Sequence, residues 1–204
     1  MSTQPAFQRP SRRITPIGEH AVDDLRFIRE TMERAAGLTA IPGWGLVCIG
    51  ATAVIAAAFG MRTANDTAWL GTWLTESVLA IGLGTAAMAF KARASGPLFQ
   101  TGSWRRFALA FSLPLIAAAV LTVRLQGEAT RHLLPGVWLL LYGVGIAAGG
   151  AFSVGAVRAM GGTFMVLGGI ALFVPGVGRD LWMAAGFGVL HIGFGAWIAR
   201  RHGG

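Results

Sequence analysis

Two ionisable side chains, Glu76 and His191, stand inside long apolar runs of this 204-residue chain, and chemistry is sought there first. A charge placed in hydrocarbon costs about 2.5 to 3.5 kcal/mol on insertion scales, so such residues turn toward a bundle interior, pair, and commonly serve function. Tyr142, the single tyrosine, interrupts a third run. A carboxyl, an imidazole and a phenol at one depth could carry a proton or meet a cationic solute. Thr72, one helical turn before Glu76, would extend such a pocket. Two readings compete. Either Glu76, Tyr142, His191 and Thr72 line a ligand or proton site, or Glu76 and His191 bond each other, or a backbone carbonyl, and lock the bundle.

Spacings that known catalysis requires are missing. Ser153 and His191 echo the serine and histidine of an intramembrane protease. Ser153 falls at the end of its run and His191 near the middle of another, whereas nucleophile and base must lie within about 3 Å. There is no HExxH motif, and His20, His132 and His202 lie outside the apolar runs, so His191 lacks a second histidine for a metal or haem. The lone cysteine, Cys48, excludes an intramolecular disulfide and a multi-cysteine metal site. The chain is expected to be no enzyme, with no catalytic residue, metal or cofactor. A lipid, quinone or pigment could still occupy a lipid-facing groove without leaving a motif.

The elements that must position these groups are six apolar stretches, at about 40–60, 68–91, 105–126, 133–152, 157–175 and 181–200. Each is long enough to cross a hydrocarbon layer of about 30 Å as a helix. Composition agrees: 54% of residues are apolar and 13% charged, with mean hydropathy +0.60, against about 25% charged in soluble domains. The expected fold is all-α, a polytopic bundle of six transmembrane helices over residues 38–204 behind an amphipathic interfacial helix at 19–37. Residues 1–18, with Pro5, Pro10, Pro16, Arg9, Arg12 and Arg13, read as a disordered cytoplasmic tail. No basic-then-apolar leader precedes the first span, so no cleaved signal peptide is expected. Along 19–37, Ala21, Leu25, Ile28, Met32 and Ala35 form a helical apolar stripe beside mixed charges. That stripe could lie on lipid, dock a partner, or cap the bundle.

Orientation follows from Lys and Arg counted by side. With the N-terminus inside, thirteen lie on the cytoplasmic side and four, Arg62, Arg124, Arg131 and Arg179, outside. That bias predicts both termini in the cytoplasm. The net charge of +8 is thereby a matter of membrane sidedness, and no nucleic-acid partner is expected. In this frame Glu76, Tyr142 and His191 share one level, roughly 12 to 15 Å below the outer end at 1.5 Å per residue. The seven tryptophans fall near span ends, where indole prefers the interface, and read as anchors.

Without a hydrophobic force between helices in lipid, close packing needs small side chains, and the chain has thirty glycines. Gly145 and Gly149 form a GxxxG pair, and Gly188 and Gly195 share a face in the last span; these four read as packing seams. No phosphate-cradling GxGxxG follows a strand. Residues 41–46 and 134–139 match at Pro, Gly and Leu, and Gly50/Gly143, Ala58/Ala151 and Phe59/Phe152 keep the same offset of 93. Inverted three-helix repeats, as in many secondary transporters, would give this pattern. Chance would also give it, since proline is common in a first helical turn.

Leu25 to Gly45 (LRFIRETMERAAGLTAIPGWG), Leu134 to Gly143 (LPGVWLLLYG), Gly150 to Val154 (GAFSV) and Gly186 to Gly195 (GFGVLHIGFG) resemble a family of uncharacterised six-helix bacterial integral membrane proteins. The likeness runs from about residue 20 to the end. It implies a bacterial cytoplasmic (inner) membrane and no activity, cofactor or site residue. Two functions are therefore expected to compete. One is a non-enzymatic accessory or regulatory subunit that meets a protein partner, or its own copy, through residues 19–37 and glycine-rich helix faces. The other is a small proton-coupled transporter or channel built around Glu76 and His191.

Overall fold

The computed structural model describes residues 23–28, 42–95, 102–151, 155–174 and 177–202. The chain divides into two units, Met1–Glu33 and Arg34–Gly204. In the first, residues 23–28 are helical with exposed side chains. The rest of the expected 19–37 helix, and the tail at 1–18, lie outside the described residues.

The second unit is helical, and no strand occurs among the described residues. Its elements are α1 Gly43–Gly60, α2 Asp66–Ser95, α3 Gly102–Arg124, α4 Leu134–Gly149, α5 Gly155–Phe173 and α6 at 179–202. A 3-10 turn, Arg131–Leu133, leads into α4. The last helix is α-helical at Arg179–Met183 and His191–His202, with a π-helical segment, Ala184–Leu190, between. All six helices are long and apolar enough to cross a membrane, and the chain reads as a multi-pass membrane protein. Pro42 immediately precedes α1 and Pro135 lies in the first turn of α4, where a missing N–H leaves no hydrogen bond unmade. Hydroxyls inside the spans close on their own helices: Thr75, Thr85, Thr122 and Thr163 each donate to the carbonyl four residues back, at 2.7–2.8 Å. Such back-bonding satisfies a hydroxyl where no water is present.

Glycine decides which helices meet. A Cβ at Gly50 in α1 would stand 2.7 Å from the Gly188 carbonyl oxygen of α6, and one at Gly195 would stand 2.8 Å from the Gly43 oxygen. The antiparallel pair α4 and α5 closes in the same way: Gly143 would stand 2.7 Å from the Gly161 oxygen, and Gly168 backs onto Leu140. Gly145 and Gly149 face the rings of Phe111 and Phe107 on α3. By contrast α2 and α3 are peripheral. Only 11% of each of these spans is buried, against 33–39% of the other four.

The packing bears on two expectations. The offset of 93 relates Gly43 and Gly50 to Gly136 and Gly143. If α1–α3 and α4–α6 were repeats, the α6 partner of the first pair would map to an α3 partner for the second. The second pair packs instead on α5. These glycine pairs thus do not correspond under that mapping, although α4 also packs on α3, through Gly145 and Gly149. The tryptophan reading also needs correction. Trp69 and Trp73 are buried at 1% and 2% exposure rather than anchored in the headgroups. They lie on the inward face of α2 against Ala53, Ala56 and Ala57 of α1, whose small side chains leave room for two indoles. Trp44 and Trp197 are exposed, as interfacial anchors would be.

Candidate polar sites within the bundle

His191 is the first α-helical residue after the π-helical segment of α6, and it is 1% exposed. Its Nε2 lies 2.6 Å from the Tyr142 hydroxyl of α4. Around this pair stand Phe164 of α5 and Phe187 of α6, with ring centroids 5.3 and 6.1 Å from the imidazole. Phe111 of α3 meets the tyrosine edge-on at 5.6 Å. The imidazole Nδ1 is buried without a hydrogen-bond partner. In the neutral ring the Tyr142 O–H donates to Nε2 in one tautomer, and Nε2–H donates to the phenol oxygen in the other. The π-helical turn lies immediately before His191. A Cβ at Gly186 would strike Leu139 of α4, so α6 passes α4 closely within this turn. π-Helical turns recur at functional sites.

Glu76 is held elsewhere. It is 8% exposed, and its Oε1 accepts a 2.8 Å hydrogen bond from the Thr52 hydroxyl of α1. The same hydroxyl lies 2.9 Å from the Ile49 carbonyl oxygen, which marks α1 as the host of both contacts. Thr72 donates to the Ala68 carbonyl of its own helix at 3.0 Å. Of the four residues singled out in the sequence, the fold brings Tyr142 and His191 together. No hydrogen bond or ion pair joins Glu76 or Thr72 to them among the described residues. Phe187, stacked on His191, also meets Trp73 of α2, with ring centroids 6.4 Å apart.

A third polar cluster closes the end of the bundle where α2, α4 and α6 begin. Asp180, buried at 7% exposure, accepts from the Trp69 and Trp73 indoles through one carboxylate oxygen, at 2.8 and 3.2 Å. A Cβ at Gly60 would strike the same carboxylate, so glycine is needed where α1 ends. Asp66 pairs with both Arg131 and Arg179, and the Arg179 guanidinium lies 4.4 Å from the Trp69 ring centroid. The Trp138 indole donates to the Thr122 hydroxyl at 2.7 Å and stacks on Trp69 at 5.8 Å. Sequence reasoning missed Thr52 and this cluster. Thr52 carries no signal, because a threonine inside an apolar run ordinarily bonds its own helix. Asp180 carries one: it begins the last span two residues after Gly178 and four after Gly176, in a chain with only nine acidic residues.

Groups of three or more residues able to hold a metal ion are absent among the described residues. No family model, curated protein or solved structure matches the chain.

Proposed function

We propose that this chain is a non-enzymatic integral membrane protein of a bacterial cytoplasmic membrane, a member of the uncharacterised six-helix family it resembles. It serves there as an accessory or regulatory subunit of a larger assembly, with both termini in the cytoplasm. The observation that carries this reading is a row of glycines on α5. Gly155, Gly162 and Gly169 recur every seven residues along α5, and a Cβ at any of them would meet nothing within 4 Å. Elsewhere in the chain the same seven-residue spacing closes helix on helix, at Gly43 and Gly50 against Gly195 and Gly188, and at Gly136 and Gly143 against Gly168 and Gly161. Small outward residues let a foreign backbone approach closely, which is how helices associate in lipid. The occupant this row fits is a transmembrane helix of another polypeptide. A photoreactive residue at Val166, outward between Gly162 and Gly169, is expected to crosslink in native membranes to one polypeptide of discrete mass. The same group at Val78 of α2 should capture lipid alone. Lipid adducts alone at both positions would overturn the reading.

A second reading keeps one observation of its own. Glu76 is an intramembrane carboxyl whose hydrogen-bond partner is a single hydroxyl and not a cation. A proton-coupled transporter or channel would use such a group. Proton-driven uptake in proteoliposomes that Glu76→Gln abolishes would establish this alternative.

A further inference from the structure

The peripheral helices hardly touch each other: α2 packs chiefly on α1, and α3 chiefly on α4. A row of rings crosses from one to the other. Trp73 of α2 meets Phe187 of α6 at 6.4 Å between ring centroids, Phe187 meets Tyr142 of α4 at 5.0 Å, and Tyr142 meets Phe111 of α3 at 5.6 Å. Trp73 is buried, whereas Phe187, Tyr142 and Phe111 keep part of their surface exposed. Rings that bridge two helices of little mutual contact, and stay partly exposed, make a floor between them. Phe187 lies in the π-helical segment of α6, a turn that recurs at functional sites.

Glu76 stands one turn from Trp73 on the same face of α2. It is 8% exposed, and its one hydrogen-bond partner among the described residues is the Thr52 hydroxyl. The nearest cation on its own helix, Lys91, is fifteen residues on, roughly 22 Å along the axis at 1.5 Å per residue. A carboxyl taken out of water is held either by a proton or by a cation beside it. Here the cation would have to come from outside the chain. A metal ion needs several ligands, and no group of three or more side chains able to hold one occurs among the described residues. One carboxyl beside a floor of rings suits instead an organic cation with apolar substituents, because ring faces attract cations most where water is excluded.

We propose that the opening between α2 and α3 binds a hydrophobic organic monocation, with its charge at Glu76 and its apolar groups on Phe187, Tyr142 and Phe111. The inference deepens the second reading of Glu76 and rests on that carboxyl, but it requires binding and no transport. The test uses the full-length chain in a nonionic detergent, with isothermal titration calorimetry as the readout. Its probes are tetraphenylphosphonium and, as a neutral control, triphenylphosphine oxide, each titrated separately against matched micelle blanks. Wild type is compared with Glu76→Gln, which keeps an acceptor for Thr52, with Phe187→Leu, which keeps the carboxyl and removes a ring face, and with Glu128→Gln, exposed in the loop after α3.

The cation is expected to bind saturably, one per chain, and the neutral oxide is not. Glu76→Gln should weaken binding roughly tenfold or more, the loss of a charge partner away from bulk water. Phe187→Leu should weaken it about threefold to tenfold, the range of one cation–π contact, and it decides the matter alone if Glu76→Gln fails to fold. Glu128→Gln should bind as wild type does. The proposal is overturned if no saturable binding occurs, if the neutral oxide binds equally, or if folded Glu76→Gln or Phe187→Leu binds as wild type does. Binding lost in Glu76→Gln, in a protein whose proteoliposomes show no proton-driven uptake, sustains the site and removes transport alone. Uptake that Glu76→Gln abolishes, without cation binding, overturns the ligand and keeps transport.

Discussion

His191 and Tyr142 are each other's solution to burial. In a dry bundle a polar atom without a partner costs about 1–3 kcal/mol, while an apolar pair of similar shape in both places can be nearly neutral. Tyr142→Phe should therefore lower stability by about 1–3 kcal/mol, since Nε2 loses its 2.6 Å partner while Nδ1 already lacks one. Combining Tyr142→Phe with His191→Leu should recover much of that loss, and a double-mutant cycle by chemical unfolding in detergent measures it. Strictly additive losses would show that the two side chains do not act as a pair. Thr52→Val should likewise destabilise, and Thr52→Ser should not, because Glu76 loses its hydroxyl donor in one variant and keeps it in the other. At this scale the sequence is half legible. Glu76 and His191 stand out because an ionisable group in an apolar run is expensive. Their partners, a threonine and a tyrosine, look like ordinary residues until the helices are placed side by side.

At the scale of helices, small residues set the architecture and the large ones fill what is left. Gly50 and Gly188 bring the backbones of α1 and α6 together, and the alanines of α1 make room for Trp69 and Trp73. A side chain forced into such a seam must shift backbone, and overpacking costs typically about 1–3 kcal/mol. Gly50→Leu is thus expected to lower the unfolding midpoint and the yield of folded protein. Gly71→Leu, where a Cβ meets nothing within 4 Å, should be silent within about 0.5 kcal/mol. Equal losses in both variants would mean that general helix propensity, and not the seam, governs stability. Each of the six spans is legible in the sequence to within a few residues, because apolar length is a direct requirement of the bilayer. The π-helical segment at Ala184–Leu190 is not, since its residues read as an ordinary apolar run, and the close passage of Gly186 past Leu139 appears only once the helices are placed. The burial of Trp69 and Trp73 escapes for the same reason: an indole near a span end suits a headgroup or an internal carboxylate equally, and Asp180 decides between them.

For the whole molecule, the proposed orientation sets thirteen Lys and Arg on the cytoplasmic side and four on the other, among them Arg131 and Arg179, the partners of Asp66. Cys48, exposed on α1, must first be replaced to give a silent background. In Cys48→Ala, a cysteine at Asn65 should then react with a membrane-impermeant maleimide in intact spheroplasts, and one at Arg200 only after lysis. The reverse order would invert the topology. With that frame, the six helices form a bundle whose strongest seams are internal and whose α5 glycine row stays open. Native mass spectrometry of the full chain, extracted gently from its own membrane, tests the accessory role most directly. The expected result is a complex with a second polypeptide in fixed ratio, lost in Gly162→Leu and kept in Gly71→Leu. A chain that flies only as a monomer or with copies of itself, in wild type as in both variants, would contradict it.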